Sequence, residues 1–261
     1  METGIGVVKN GWAAPLSRLG GWLLDQLYPP VCLACDTPVA TADALCPACF
    51  RKLRPITAPL CPVLGLPFEA SFGPEVRSAE AIADPPPSDR ARSAVVYNEV
   101  ARALVGKLKY GDRPELARLC ARLMAQAGHE LWGEDAVLVP VPLHRTRQVS
   151  RRYYQSTELA RALSRLTGVP VDPLLVMRRK KTRQQVGLSG DARRRNVSGA
   201  FAAHPQALRR LAGRRAILVD DVITTGSTVK SVTRALNSAG AGGVDVISFA
   251  RVVSDSMDSL Y

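Results

Sequence analysis

Residues 216–228 (AILVDDVITTGST) change chemistry three times within a single short stretch, and few chain geometries accommodate all three. Ala216 to Val219 form a continuous apolar run, as expected of a parallel strand buried on both faces. Asp220 and Asp221 follow at once. Thr224, Thr225, Gly226, Ser227 and Thr228 then make a short hydroxyl-rich loop. It leads into a helical pattern with Val229, Val232, Leu236 and Ala239 on one face and Gly240 at its end. Successive backbone N–H groups at a helix start cradle phosphate. An acidic pair just ahead of such a cradle calls for a ligand with two unlike ends, an anionic group for the N–H groups and hydroxyls or a magnesium ion for the carboxylates. A sugar phosphate has both ends. A strand, turn and helix with solvated acids would explain the apolar spacing but not the company that Asp-Asp keeps.

The flanking chain reads as an alternating α/β domain. Strands are expected at 93–97, 136–141, 171–177 and 244–250 around the central one, with helices at 99–110, 114–128 and 151–167. Alternation of this kind gives a parallel sheet with right-handed crossovers and ligands at the carboxyl ends of its strands. Two further segments belong at such ends. Pro140 to Arg145 follows a strand, and its prolines fix a donor-rich turn with Arg145 and Arg147 close by, as a pyrophosphate site requires. His144 in that turn is open between touching ligand and facing solvent. Residues 178–201 are long, polar and basic, carrying Arg178, Arg179, Lys180, Lys181, Arg183, Gln185 and Arg193. They read as a mobile lid that brings cations over a polyphosphate, the alternative being a plain solvated loop.

Towards the N-terminus, Trp12, Leu16, Leu19, Leu23 and Leu27 recur at helical spacing, with Arg18 as the only basic residue among them. This is an amphipathic helix expected to pack on its own protein rather than on a membrane. Cys32, Cys35, Cys46 and Cys49 form two C-x-x-C pairs, and four thiolates close a tetrahedral zinc shell with no open position, which makes a structural site. Cys61 and Cys120 read as free thiols. No apolar run approaches the length of a membrane span, and no cleavable leader pattern is visible at the start, so a cytoplasmic location is expected. Residues 84–88 (DPPPS) read as a stiff linker. The expected division is an N-terminal helix over 1–30, a zinc-binding unit with its linker over 31–88, and the α/β domain over 89–261. A formal charge of +12 favours polyanionic partners, whether a small phosphate ester or nucleic acid.

The stretch 216–228 resembles the 5-phosphoribosyl-1-pyrophosphate (PRPP) motif of the type I phosphoribosyltransferases. With the four cysteines, the run from Val139 to His144, the lid residues 184–189 with Arg193, Asn196 and 199–201, and the central motif together, the chain resembles the ComF family along nearly its whole length after residue 12. The resemblance implies an α/β fold of the type I phosphoribosyltransferase kind, a twisted parallel sheet flanked by helices, behind a small N-terminal zinc ribbon. It also implies a role in DNA uptake for some members, with a helicase-like translocase as partner. The chain departs from the family pattern twice. Where members often carry a second C-x-x-C it has Cys61 followed by Pro62, Val63 and Leu64, and after Arg151 and Arg152 it has Tyr153 and Tyr154 where Phe and Asn are usual.

In the chemistry this implies, Asp220 and Asp221 hold the ribose hydroxyls directly or through Mg²⁺, and Thr224, Thr225, Gly226, Ser227 and Thr228 take the 5-phosphate. Leu143, His144 and Arg145 bind pyrophosphate, and the basic lid neutralises it and excludes water. That makes the chain a candidate pentosyl-transferring enzyme whose acceptor the sequence does not spell out. The rival reading is a non-catalytic adaptor that grips single-stranded DNA through the lid and the zinc arm. Against it stand an aromatic content of only 5% and an acidic pair that repels a nucleic-acid backbone.

Overall fold

The computed structural model describes residues 29–110, 113–142, 155–179 and 199–253. The first described elements are the short helices α1 (Pro47–Lys52) and α2 (Ala79–Ala83), then strand β1 (Arg90–Val96) and helices α3 (Glu99–Tyr110) and α4 (Pro114–Ala127). Strand β2 (Ala136–Pro140), helix α5 (Gln155–Thr167), strands β3 (Val176–Arg178) and β4 (Phe201–Ala203) and helix α6 (Ala207–Leu211) follow. Strand β5 (Arg215–Ile223), helix α7 (Ser227–Ser238) and strand β6 (Val244–Arg251) complete it.

Among the described residues β1, β6, β5 and β2 form one parallel sheet in that order, so the central motif lies on an inner strand. An inner parallel strand is covered on both faces, which is why Ala216 to Val219 are uninterrupted apolar residues rather than alternating ones. Their side chains nonetheless alternate between two cores. Ile217 and Val219 join the cluster built on α3, α4 and α5, with Leu104, Leu116 and Leu159. Ala216 and Leu218 join the one built on α7 and the β3–β4 hairpin, with Val232, Leu236, Val176 and Phe201.

The structure differs from the pattern reading in three places. β5 continues through the acidic pair to Ile223, because Asp220, Val222 and Ile223 stay in register with Ser248, Ala250 and Arg251 of β6. The strand expected at 171–177 is divided. Val171 bridges Leu138 at the β2 edge, Pro173 interrupts, and β3 then turns away to pair antiparallel with β4, closing the root of the basic segment as a hairpin. The proline-rich residues 84–88 are strapped to the α/β body. Lys230 pairs with Asp84 at 2.6 Å, Asn237 donates to the Pro87 carbonyl at 3.0 Å, and Asp89 N donates to Val244 O at 2.8 Å. The helix expected near residues 12–27 lies outside the described residues. No described helix is long and apolar enough to cross a membrane.

Candidate active site

Asp220 and Asp221 occupy the last part of β5, level with the end of β2, where Pro140 stands opposite Val219 and Val141 N donates to Val219 O at 2.9 Å. The root of the predicted pyrophosphate turn is therefore beside the acidic pair, while Leu143, His144 and Arg145 themselves lie outside the described residues. Asp220 is buried and Asp221 half-buried. Oδ1 of Asp220 accepts from the Asp221 backbone N–H at 2.9 Å and from Ser156 Oγ, on the first turn of α5, at 3.5 Å. Asp221 Oδ1 accepts from the Val222 N–H at 2.8 Å, and its Oδ2 lies 3.2 Å from Lys109 Nζ at the end of α3. Burial holds the Asp220 carboxyl well above its ordinary range, and the neighbouring Asp221 charge pushes it the same way. A divalent cation or a strong donor arriving there reverses the balance, because it favours the carboxylate that burial disfavours.

Thr224, Thr225 and Gly226 form the bend after β5, and Ser227 and Thr228 open the twelve-residue α7. Gly226 is the N-cap with φ +69°, a left-handed conformation that glycine takes without penalty. This reversal brings the strand end and the helix start together, and Thr225 Oγ1 and Ser227 Oγ lie 2.8 Å apart across it. Of the predicted lid residues, Arg179 is described. It is exposed, and its N–H donates to Ala200 O at 2.8 Å, extending the β3–β4 hairpin. Lys180, Lys181, Arg183, Gln185 and Arg193 lie outside the described residues. The hairpin root stands in the same core as the site, since Val176 and Phe201 share a cluster with Val141, Ile223 and Val229.

Lys109 and Ser156 escaped the sequence reading. A lysine near the end of an amphipathic helix normally reads as solvated, and a serine at a helix start as a cap. Only the packing of α3 and α5 against β5 aims both at the acids. Gln155, next to Ser156, donates to the Lys109 carbonyl at 3.3 Å and so ties the two helix ends to each other.

The four ribbon cysteines come together as expected. Their sulfur atoms all lie within 4.8 Å of one another, and Sγ of Cys35 and Cys46 are 3.7 Å apart. A tetrahedron of Zn–S bonds near 2.3 Å sets sulfurs about 3.8 Å apart, so the cluster fits a structural zinc ion. Backbone donors complete it, with Cys46 N–H 3.2 Å from Cys32 Sγ and Cys49 N–H 3.4 Å from Cys46 Sγ. Thr37 Oγ1, 3.2 Å from Cys35 Sγ, brings that thiol down to about 6. None of the six cysteines is in a disulfide.

Comparison with known proteins agrees with this arrangement. A phosphoribosyl transferase domain matches residues 107–259, and a double zinc ribbon domain matches residues 23–82. The class is thus a phosphoribosyltransferase-type domain carried behind a zinc ribbon. DNA utilization protein YhgH of Escherichia coli (strain K12) is 33% identical over 232 residues, which cover 86% of this chain and 98% of that protein. Competence protein F of Haemophilus influenzae is 35% identical over 161 residues, covering 59% of this chain and 69% of its own. Competence protein ComFC of Bacillus subtilis (strain 168) is 25% identical over 231 residues, covering 82% and 91%. The chain belongs to the ComF family.

Proposed function

We propose that the chain binds PRPP together with Mg²⁺ and transfers its 5-phosphoribosyl group to an acceptor nucleophile, with pyrophosphate as the leaving group. The observation that carries this reading is the buried Asp220 beside Asp221 at the carboxyl end of an inner parallel strand, one bend ahead of the α7 N-terminus. Two carboxylates at one end and a helix start at the other suit a ribose ring that carries a phosphate. Mg²⁺ held at the acidic pair supplies neutralisation for the pyrophosphate leaving group.

The chain's own residues do the rest. Asp220 and Asp221 hold the ribose hydroxyls, and their charge stabilises the oxocarbenium-like centre that forms as the C1–pyrophosphate bond breaks. Ser156 fixes the plane of the Asp220 carboxylate. Lys109 neutralises Asp221 until ligand or cation takes over that task. Residues 224–228 take the 5-phosphate, Leu143, His144 and Arg145 take the pyrophosphate, and the basic lid residues Arg179, Lys180, Lys181, Arg183, Gln185 and Arg193 keep water out. A thermal-shift titration tests the reading. PRPP with Mg²⁺ at a hundredfold excess over its dissociation constant stabilises the fold by about 2.7 kcal/mol. Ribose 5-phosphate or pyrophosphate alone gives less, and an unmoved midpoint with PRPP removes the proposal.

The +12 charge and the names of the relatives, DNA utilization and competence proteins, favour one second reading. In it the chain is an adaptor for single-stranded DNA that works with a helicase-like translocase in DNA uptake. Affinity for a single strand then falls steeply with salt, and absence of binding at low salt eliminates the adaptor.

A further inference from the structure

Residues 30–39 and 59–68 are one backbone motif drawn twice. In the first, Cys32 N donates to Thr37 O at 2.7 Å, Asp36 N to Cys32 O at 3.0 Å and Val39 N to Pro30 O at 2.8 Å, while Val31 bridges Pro38. In the second, Cys61 N donates to Leu66 O, Gly65 N to Cys61 O and Phe68 N to Pro59 O, each at 2.8 Å, while Leu60 bridges Pro67. The left-handed step falls at the same place, Asp36 at φ 60° and Gly65 at φ 63°.

The correspondence continues into the helices. Cys46 caps α1 with φ −67° and ψ 158°, and Ser78 caps α2 with φ −65° and ψ 155°. Cys46 N–H points at Cys32 Sγ (3.2 Å) as Ser78 N–H points at Cys61 Sγ (3.4 Å). Cys49 N–H meets Cys46 Sγ as Ala81 N–H meets Ser78 Oγ, both at 3.4 Å. Position for position, Cys61, Leu64, Ser78 and Ala81 stand where Cys32, Cys35, Cys46 and Cys49 stand in the first ribbon.

A closed zinc shell needs four ligand side chains. The second set offers one thiol, one hydroxyl and two hydrocarbons, and does not fit the ion. Cys61, Leu66 and Ala81 instead form a small apolar cluster with Val63, Leu64, Phe68 and Val253. We infer that residues 59–83 are a zinc-ribbon repeat that has exchanged its metal for an apolar plug, so the chain binds a single zinc although its domain family is that of a double ribbon.

The sheet replaces the ion as the clamp on this knuckle. Three successive carbonyls are captured, Pro62 O by Arg92 Nη1 at 3.0 Å, Val63 O by Ala91 N at 2.7 Å and Leu64 O by Arg251 Nη1 at 2.8 Å. Gly65 lies so close to β1 that a Cβ there would fall 2.2 Å from Ala91 O. The first knuckle meets α3 and α4 through Leu33 in the shared core and through the pairs of Asp36 with Lys107 and Asp43 with Arg118, but no sheet clamp of this kind takes hold of its carbonyls among the described contacts.

Elemental analysis of the purified full chain and two variants tests the inference. The wild type carries about one zinc per chain, Cys61→Ala carries the same, and Leu64→Cys/Ser78→Cys/Ala81→Cys, which refills the ligand set, carries about two. Substitution with Co²⁺ shows the added site in the triple variant as roughly doubled thiolate charge-transfer absorbance. A wild type with about two zinc ions overturns the inference, as does a Cys61→Ala protein that loses zinc or a folded triple variant that stays at about one. Cys61→Ala decides the matter by itself should the triple variant fail to fold.

Discussion

Asp220 is held away from water by α5 and β6, and that position sets stability against the ligand binding proposed for it. Its folded-state pKa lies above the ordinary value of 3.8, so from about pH 4 upwards the native state holds a proton that the unfolded chain has given up. Stability therefore falls as pH rises through that window. Asp220→Asn removes the effect, and its melting midpoint relative to wild type climbs as pH rises above about 4 while PRPP binding is lost. A difference that does not change with pH contradicts this. Lys109, 37% exposed in its side chain, makes a pair worth under about 1 kcal/mol to the fold. Lys109→Met accordingly leaves the midpoint nearly unmoved and, because it removes the ammonium that Mg²⁺ and PRPP displace from Asp221, tightens PRPP binding by up to about tenfold, or about 1.4 kcal/mol, as read by calorimetry. The acids were legible in the sequence because two adjacent carboxylates interrupt an apolar strand. Lys109 and Ser156 were not, since their meaning depends on how α3 and α5 lie on β5, and neither helix carries a motif of its own.

The element that turns this chemistry into a site is the β5–α7 reversal. Gly226 has open space where a side chain would go, so the cost of substitution there is one of backbone conformation. Gly226→Ala and Gly226→Val each cost about 1–2 kcal/mol in urea unfolding, and Gly226→Asn costs less. Losses that grow with side-chain volume, with Gly226→Asn costing more than Gly226→Ala, would point to a steric cause instead. Helices α3 and α4 were legible almost to the residue from their apolar period and the proline at the start of α4. The far end of β5 was not, because charged residues seldom continue a buried strand, and here pairing with Ser248 and Ala250 of β6 overrides that preference. Likewise the strand expected at 171–177 survives only at its end, as β3, and its partner β4 was not foreseen, since it is three residues long at the far end of the basic segment and pairs with β3 alone among the described strands.

At the scale of the whole molecule, the ribbon and the α/β body share one core. Leu33, Cys49 and Leu53 pack in the same cluster as Leu104, Leu108 and Phe249, and Arg54 and Ile56 pair with the free edge of β1. A proline run reads as a boundary in sequence because stiffness is all that can be seen of it. Its docking through Asp84 and Pro87 comes from contacts with α7, more than a hundred residues away. Because the core is continuous, stripping zinc with a chelator lowers a single melting transition of the full chain, while a ribbon that melts separately would contradict this packing.

The most direct measurement is isothermal titration of PRPP into the full chain with and without Mg²⁺, repeated on Asp220→Asn/Asp221→Asn. Saturable binding that needs Mg²⁺ and disappears in the double variant is the expected result. Absence of binding to the wild type, or undiminished binding to the double variant, would contradict the assignment of the acidic pair and with it the phosphoribosyl reading.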